Sequence, residues 1–499
     1  MGSLSPFPPR MNRFLGALAL GALSLSACDT AAPDLGTPAQ ASVSVASANA
    51  VAGLPTPPEL PARHLVLLKG NGIPGSFDRS VRLAGGTVVY AHEAGIAVVE
   101  GLDDDGADRL ARASGVAEVK PDIDLSPEFP EAGDTEVADV IQSPSNPAAA
   151  IRFPQQWNLQ AIDAEAAWAA GKLGSPDVTV AILDTGIDYT YPDLAGRVDL
   201  SRSVSFLPQD DALVAAYFPS KDPITDLHYH GTHVASTVVS NAYIAAAVSS
   251  QTTLMGVKVC SVYGGCPSSA IFPGILHAAD NGADIANMSL GGAFLRANAE
   301  GYGGFLNKVF NYARRQGMLI VVSAGNSAAD LDHNYYPIEN EDGVDVMTHL
   351  PSLYSTYCDT PSTLCVSATG PTAGGTFTTG PWTDVDAPAY YTNFGRSAID
   401  VAAPGGNTGA AVLGACSQTS LIYTVCQTGN YTLGISGTSM ASPHVAGLAS
   451  LLAAEGYNSS QIASRIRQSA EDLGQRGVDP YYGKGRINVA RALGLSPDA

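Results

Sequence analysis

From residue 151 onward the chain alternates short apolar runs with segments of helical character, and this alternation limits the possible folds more than any other feature. The apolar runs are rich in Val, Ile and Leu and have few polar residues inside them. They are residues 178–183, 254–259, 285–290, 318–323 and 364–368. Strands of this kind are buried on both faces, so we expect a parallel sheet covered by helices on both sides. Ligand sites in such sheets lie at the carboxyl ends of the strands, where several of these runs end in polar residues.

Composition limits the kinds of partner. The chain has 499 residues, of which 45% are hydrophobic and 15% charged, as expected for a folded protein with a large core and more than one domain. Its formal net charge is -21, and its 26 Lys and Arg residues are spread along the chain. Because phosphate binding needs clustered basic residues, no nucleic-acid partner is expected. We expect a monomer.

The N-terminus predicts export. Arg10 and Arg13 precede an apolar stretch, residues 14–25, that is too short to span a bilayer and has the size of a signal peptide core. Residues 25–28, Leu-Ser-Ala-Cys, resemble a bacterial lipobox, so a signal peptide over residues 1–28 and a lipid on Cys28 are expected. Ordinary signal cleavage is the alternative, and Met11 is an alternative start. The expected location is secreted or cell-envelope, with membrane contact only through the lipid anchor.

The remaining six cysteines form three close pairs along the chain. They are Cys260 with Cys266, Cys358 with Cys365, and Cys416 with Cys426. In an oxidising compartment each pair would close a short loop as a disulfide. A metal site is the alternative, although no Cys-x-x-Cys pair occurs.

Four regions follow the expected signal peptide. Residues 29–61 are rich in Ala, Pro, Ser and Thr and are expected to form a disordered tether. Residues 62–125 predict a β-α-β-β-α-β order, that is, a small ferredoxin-like α+β domain. Residues 126–150 predict an exposed linker where a cut would be tolerated. Residues 151–499 form the predicted α/β domain.

Three polar motifs follow the predicted strands or open predicted helices. Asp184-Thr185-Gly186 ends the run at 178–183, and His230-Gly231-Thr232-His233 opens a helix of small residues. Ser439 lies in the first turn of a helix, because Pro443 is tolerated only near a helix start. Free N–H groups and the positive end of the helix dipole suit an oxyanion there.

Each motif also has a simpler interpretation. Asp184 alone could form a turn. His230 and His233 could bind a metal, but no Glu lies between them as in the zinc motif of metalloproteases. His444 lies five residues after Ser439, roughly 140° around the helix, and is interpreted as a packed core residue.

Together, and in this chain order, the Asp184, His230 and Ser439 blocks resemble those of subtilisin-like serine proteases. The resemblance implies a largely parallel, doubly wound sheet and hydrolysis of peptide bonds in proteins or peptides. It implies that Ser439 is the nucleophile, that His230 takes and returns the proton, and that Asp184 orients the imidazole. No cofactor is required for this chemistry.

The same resemblance assigns further binding residues. Asn326, after the run at 318–323, resembles the family's oxyanion Asn, which would act with the backbone N–H of Ser439; a simple turn is the alternative. The segment Ser289, Leu290, Gly291 and Gly292 resembles the one that pairs with substrate backbone.

The sequence gives opposing signals about a structural calcium site. Asp193 matches a calcium ligand of the family, which predicts a structural site with oxygen ligands. The stretch after His230 is short, however, and apart from Asn241 it lacks the expected Asn-rich loop.

Residues 62–125 resemble the family's inhibitory propeptide, which predicts a self-processing zymogen with its own propeptide as intramolecular inhibitor. Departures from the family pattern lie at residues 199–226 and 338–363, and the second replaces part of the substrate pocket. The alternatives are a catalytically silent surface-binding lipoprotein of the same fold, a sedolisin-like acid peptidase and an α/β-hydrolase esterase. The esterase would need Gly-x-Ser-x-Gly and the chain order Ser, acid, His, whereas this chain has Ala441 and begins with the acid.

Overall fold

The structure, a computed structural model, describes residues 54, 61–125, 129–139, 146–290, 293–295, 302–339, 344–350, 353–355, 357, 358, 360 and 363–495. The expected signal peptide, Cys28 and most of the tether lie outside these residues, as do Gly291 and Gly292. Among the described helices, none is both long enough and apolar enough to cross a bilayer.

The elements are numbered in chain order. The strands are β1 Arg63–Leu68, β2 Thr87–His92, β3 Ile96–Glu100, β4 Val116–Pro121, β5 Asp124–Leu125, β6 Thr135–Val137, β7 Thr179–Asp184, β8 Val204–Ser205, β9 Thr253–Lys258, β10 Cys266–Pro267, β11 Ile285–Met288, β12 Ala293–Leu295, β13 Leu319–Ser323, β14 Tyr335–Glu339, β15 Asp345–His349, β16 Leu353–Ser355, β17 Thr363–Thr369, β18 Val401–Pro404, β19 Val412–Ala415 and β20 Tyr431–Ile435. The helices are α1 Phe77–Ala84, α2 Asp104–Ala111, α3 Trp157–Ala161, α4 Ala164–Ala169, α5 Pro208–Tyr217, α6 His230–Val238, α7 Ser268–Asp280, α8 Tyr302–Arg315, α9 Thr438–Ala454, α10 Ser459–Ser469 and α11 Val489–Ala492.

Strands β1 to β4 form a small antiparallel sheet in the order β2-β3-β1-β4. Because side chains alternate along a strand, Val66 of β1 faces the small domain's own core with Phe77 of α1 and Leu110 of α2. Leu65, on the other face, packs into the core of the main domain. The elements follow the β-α-β-β-α-β order, and the role of this domain as a propeptide stays a prediction.

The outer face of the small sheet lies against helices α7 and α8 of the main domain. Polar contacts border this apolar interface: Lys308 Nζ donates to Gly70 O at 2.8 Å, and His92 Nε2 lies 2.7 Å from Asp280 Oδ2. The hydroxyl of Tyr312 donates to the other oxygen of Asp280 at 2.7 Å. The small domain is thus packed on two helices of the main domain.

The main domain is built on a seven-stranded sheet in the order β18-β17-β13-β11-β7-β9-β8, with every neighbouring pair parallel. Five of these strands correspond to the five predicted runs, and the predicted α/β fold is confirmed. The short strands β8 and β18 were not predicted. Alternate residues of β7 enter different cores, Val180 and Ile182 on one face and Ala181 and Leu183 on the other. The sheet is therefore buried on both sides.

Helix α9 lies within the core on one side of the sheet. Its residues Thr438 to Leu452 are all buried. Small side chains allow this close packing: a Cβ added at Gly447 would lie 2.7 Å from the Cβ of Val248. The helix begins at Thr438, so Ser439 lies in its first turn as predicted.

Residues 199–226 and 338–363, which the sequence predicted to be enlarged surface loops, contain short regular elements. Residues 199–226 include α5, whose buried Asp210 accepts hydrogen bonds from Ser261 Oγ (2.6 Å) and Val262 N (2.9 Å) and lies 3.4 Å from the buried Nζ of Lys258. Residues 338–363 include β15, which pairs antiparallel with β14, and β16, which pairs with β12.

The three predicted disulfides are present in the structure. They join Cys260 to Cys266, Cys358 to Cys365, and Cys416 to Cys426. The first connects the end of β9 to β10, and the third connects the end of β19 to the segment before β20. Each therefore restrains a loop close to a strand edge.

Candidate active site

Asp184 and His230 meet at the carboxyl end of β7. His230 Nδ1 lies 2.8 Å from Asp184 Oδ1, and both side chains are fully buried. Asp184 Oδ1 also accepts a hydrogen bond from Thr185 N at 2.7 Å. These contacts fix the Asp184 carboxyl group at the end of β7 and orient the imidazole ring of His230.

Two glycines permit this approach. Gly186 has φ +114°, and a Cβ there would lie 2.4 Å from the carbonyl oxygen of Ile224. A Cβ on Gly231 would lie 2.2 Å from Gly186 O and 3.1 Å from the Cβ of Asp184. The first turn of α6 can press against the end of β7 only because neither position carries a side chain.

Ser439 is nearly buried, with 5% of its surface exposed. Its Oγ donates to Ser289 O at 3.3 Å, and no described residue forms a hydrogen bond with His230 Nε2. The structure thus brings Asp184 and His230 into hydrogen bonding, whereas the serine hydroxyl points to the neighbouring carbonyl. Nucleophile–base contacts are often long in structures without substrate.

Ser289 is tied to helix α9. Its hydroxyl donates to Ser439 O at 2.7 Å and accepts from Asn287 Nδ2 at 2.9 Å. Asn287 Oδ1 in turn accepts from Ser442 Oγ at 2.7 Å. Ser289 and Leu290 directly follow β11 and are buried. The described part of the predicted substrate segment is therefore fixed beside Ser439.

The side-chain amide of Asn326 is oriented by Thr438. Its Oδ1 accepts from both the backbone N–H and the hydroxyl of Thr438, each at 2.9 Å. A Cβ added at Gly437 would lie 3.5 Å from Asn326 Nδ2, so the NH₂ group faces the turn that precedes Ser439. The hydroxyl of Thr438 also accepts from Gly325 N at 3.0 Å.

Asn393 supports the same turn, a role that sequence reasoning did not assign. Its Oδ1 accepts from Ser327 N (3.0 Å) and Ala329 N (2.9 Å), and its Nδ2 donates to Ala324 O at 2.9 Å. Gly325 lies at φ +99°, where a Cβ would meet Asn393 Nδ2 at 2.5 Å. The segment carrying Asn326 is therefore held from both sides.

Asp226 was also missed. It is fully buried and accepts hydrogen bonds from Thr185, His228 and Thr232. Burial raises its pKa, while these donors oppose that rise. The only sequence signal is its place four residues before His230, where a carboxylate suits a helix N-terminus.

Neither His233 nor His444 belongs to a metal site. His233 Nε2 contacts the backbone oxygens of Val412 (3.2 Å) and Leu433 (3.1 Å), and burial lowers its pKa to about 3. His444 contacts Met440 O at 2.7 Å and Asn158 Nδ2 at 2.8 Å, as expected of a core residue. Across the described ranges, no three His, Cys, Asp or Glu residues form a group suited to a metal ion.

The carboxyl group of Asp193, which the resemblance links to a calcium site, is held by three backbone N–H groups. Its Oδ1 accepts from the backbone N–H groups of Tyr243 (2.8 Å) and Ile244 (3.0 Å), and its Oδ2 accepts from Ala245 N at 3.0 Å. Calcium needs a shell of oxygen ligands, and here three N–H donors point at the carboxylate. Asn241 is likewise engaged, its Oδ1 accepting from Arg197 Nε at 2.7 Å.

Residues 129–139, part of the predicted exposed linker, run beside the site, and six of these eleven residues are exposed. The ring of Phe129 lies 4.6 Å from that of His230 and 5.1 Å from that of His228, between centroids. The hydroxyl of Tyr229 donates to Pro130 O at 3.1 Å. The packing of Phe129 on His230 and the pairing of β6 with β20 bind this segment to the main domain, while much of it stays open to solvent.

The chain was compared with known sequences and solved structures. Residues 175–485 match the model of the subtilase family. The chain is 30% identical to thermitase from Thermoactinomyces vulgaris over 68% of its own length and 96% of the relative. It is 31% identical to a thermophilic serine proteinase from Bacillus sp. (strain AK1), over 68% and 67% respectively. A crystal structure of the epidermin leader peptide processing serine protease from Staphylococcus aureus superposes with a TM-score of 0.62 at 18% identity, covering 88% of this chain and 99% of that one, which shows the shared fold.

Proposed function

Because the chain belongs to the subtilase family and is a serine-type endopeptidase, we propose that it cuts peptide bonds through an acyl-enzyme formed on Ser439. The observation that carries the assignment is the buried 2.8 Å contact between His230 Nδ1 and Asp184 Oδ1, beside the first turn of α9. In that pair the carboxylate holds Nδ1–H, so that Nε2 is the basic nitrogen. These residues favour an enzyme over a catalytically silent binding protein, because a binding protein would not need an aspartate and a histidine paired beside a serine.

In the first step Ser439 Oγ attacks the peptide carbonyl carbon, and its proton passes to His230 Nε2. The hydroxyl must first turn away from Ser289 O, its acceptor at 3.3 Å. His230 then returns the proton to the leaving amine. In the second half of the reaction water attacks the acyl-enzyme, its proton passes to His230 and then to Ser439 Oγ, and the acyl group is released. Asp184 stabilises the imidazolium in both halves of the reaction.

The tetrahedral oxygen is held by Asn326 Nδ2 and the backbone N–H of Ser439. This assignment is supported by Thr438, which fixes the carbonyl side of the Asn326 amide. It is also supported by the position of Ser439 in the first turn of α9, where backbone N–H groups have no helical acceptor.

Substrate binds as an extended strand along Ser289, Leu290, Gly291 and Gly292. Ser289 O is then available to the substrate backbone once the Ser439 hydroxyl has turned. This role is supported by the bonds that fix Ser289 to Asn287 and to Ser439 O.

We further propose that residues 62–125 are an inhibitory propeptide and that the enzyme removes it by cutting between Leu125 and Phe129. Asp124 and Leu125 pair with Cys266 and Pro267 on one side of the site, and Phe129 packs on His230 on the other. The described residues on both sides of the proposed cut are thus held by the main domain. The packing of the small sheet on α7 and α8 supports inhibition by coverage.

Secretion with lipid attachment at Cys28 is proposed from the N-terminal sequence. The three disulfides support an oxidising compartment. Incorporation of labelled palmitate into the wild type but not into the Cys28→Ser variant would support the anchor. Equal incorporation would contradict it.

A fluorophosphonate probe tests the catalytic assignment. Processed wild-type protein should be labelled on Ser439 and should hydrolyse peptides, whereas Ser439→Ala should do neither. The Ser450→Ala variant is a matched control, because Ser450 is a buried serine of the same helix, about three turns away, whose hydroxyl donates to Gly447 O. Absence of labelling in processed wild type would contradict the assignment. Equal processing of Ser439→Ala and wild type in a host without other proteases would contradict self-processing alone.

A further inference from the structure

Residues 129–139, here called the strap, add a third strand to the β19–β20 hairpin. Thr135–Val137 pair antiparallel with β20, opposite Tyr431–Leu433. The ladder continues on both sides, with Gly133 N donating to Gly434 O at 3.0 Å and Ala138 N to Asn430 O at 3.1 Å. The edge of β20 thus binds an extended peptide through its backbone, and that peptide is this chain's own strap.

Arg152 anchors the far end of the strap. Its side chain is 6% exposed, and its guanidinium donates to Val137 O at 3.0 Å and lies 3.0 Å from Glu136 Oε2. The same group donates to Thr432 Oγ1 of β20 at 3.2 Å. A nearly buried cation is stable only with such partners, and the strap supplies a carbonyl and a carboxylate.

Two tyrosines of the main domain hold the near end of the strap. Tyr229 donates to Pro130 O and Tyr423 to Gly133 O, both at 3.1 Å. Phe129 and Pro130 lie against His230 and the Gly437 turn, where a Cβ on Gly437 would meet Pro130 Cγ at 2.4 Å. This is the side of the cleft that must receive the residues after a cut bond.

We propose that the strap stays bound to β20 after the propeptide is removed and blocks the side of the cleft that receives residues following the cut. This inference depends on the proposed function in one respect only, namely that the chain is cut before Phe129. It does not depend on which protease makes that cut. All the contacts named above join the strap to residues 152–437. Loss of residues 62–125 leaves them intact.

The covalent connection between the strap and the main domain favours retention of the strap on β20. The strap is joined to Arg152 through residues 140–151, so its binding is intramolecular. Short linkers of this kind give effective concentrations of roughly millimolar. A substrate with several residues beyond the cut must displace the strap. A peptide p-nitroanilide has only one small arylamine as its leaving group, so it needs to displace much less of the strap.

Gly133→Ala tests this directly. A Cβ there would lie 2.6 Å from the backbone oxygen of Gly434, so the strap must move away from β20. We expect kcat/KM for a peptide with six residues beyond the cut to rise by about tenfold, against less than about twofold for the p-nitroanilide. Gly303→Ala is the matched control, because a Cβ at Gly303 of α8 meets no atom within 4 Å and should change neither value.

A second variant guards against a folding defect. Glu136→Gln removes the charge paired with Arg152 and should change the same ratio in the same direction, by a smaller factor. An unchanged ratio in both variants would overturn the proposal, and so would an active protein whose N-terminus maps beyond residue 139. Equal processing of Ser439→Ala and wild type would overturn self-processing. The retention of the strap would still be decided by the ratio of the kcat/KM values for the long peptide and the p-nitroanilide.

Discussion

The carboxylate of Asp226 accepts two hydrogen bonds from Thr232, one from its backbone N–H at 3.0 Å and one from its hydroxyl at 2.6 Å. Its other oxygen accepts from the hydroxyl of Thr185, at 2.9 Å. Thr185 follows Asp184, and Thr232 lies in the first turn of the helix that begins with His230. Asp226 therefore fixes two parts of the site relative to each other without contacting either catalytic side chain.

We expect Asp226→Asn to lower kcat about tenfold or more and to leave KM nearly unchanged. The amide replaces one acceptor oxygen with a donor, so at least one buried donor loses its partner, at about 1–3 kcal/mol of folding stability. Steady-state kinetics and thermal unfolding measure the two effects. Asp222→Asn, in the same loop but partly exposed, should have little effect on kcat; an equal loss there would argue against a specific positioning role.

Asn326→Ala should lower kcat by about a hundred- to a thousandfold with little change in KM, because the lost donor acts on the oxyanion and not on bound substrate. Thr438→Val, which removes one bond to Asn326 Oδ1, should lower kcat by a smaller factor, and Thr438→Ser should restore it. A rise in KM without loss of kcat would place Asn326 in substrate binding instead. Initial rates over a substrate series separate the two outcomes.

The sequence predicted the parts of the fold that depend on local pattern. Uninterrupted apolar runs predicted the central parallel strands, and Pro443 predicted the start of α9 at the turn before Ser439. Strand β8 has two residues and β18 has four, too few for periodicity to identify them. Their pairing depends on neighbours distant in sequence.

Motifs predicted Asp184, His230, Ser439 and Asn326 as site residues, whereas the residues that support them were not predicted. Asp226 and Asn393 act through backbone N–H groups of distant segments, and no motif encodes such partners. Asp193 matched a calcium ligand of the family by position, but the motif gave no sign of the three backbone N–H donors that the fold directs at its carboxyl group. The pairing of the strap with β20 was not predicted, because its short, mixed sequence has neither helical nor strand periodicity.

Chelation should leave the enzyme stable if Asp193 is satisfied by the loop at residues 243–245. We expect incubation with excess EDTA to change the melting temperature by less than about 2 °C, within the small effects of surface interactions. Activity after dialysis should be retained, and added calcium should not raise it. A large drop in melting temperature that calcium reverses would show that a cation stabilises this chain.

The Asp193 carboxyl should also make stability depend on pH. Burial raises its pKa to about 6 from 3.8, against the opposing effect of its three backbone donors. Because the folded state holds this proton more tightly than the unfolded chain, the stabilisation is fully present below about pH 4 and is lost as the pH rises through about 6. The shift corresponds to about 3 kcal/mol. In the Ser439→Ala background, which prevents autolysis, the unfolding free energy should therefore fall more steeply between pH 4 and 6.5 than in the same background carrying Asp193→Asn. Identical slopes in the two proteins, measured by urea unfolding, would mean that Asp193 does not titrate in this range.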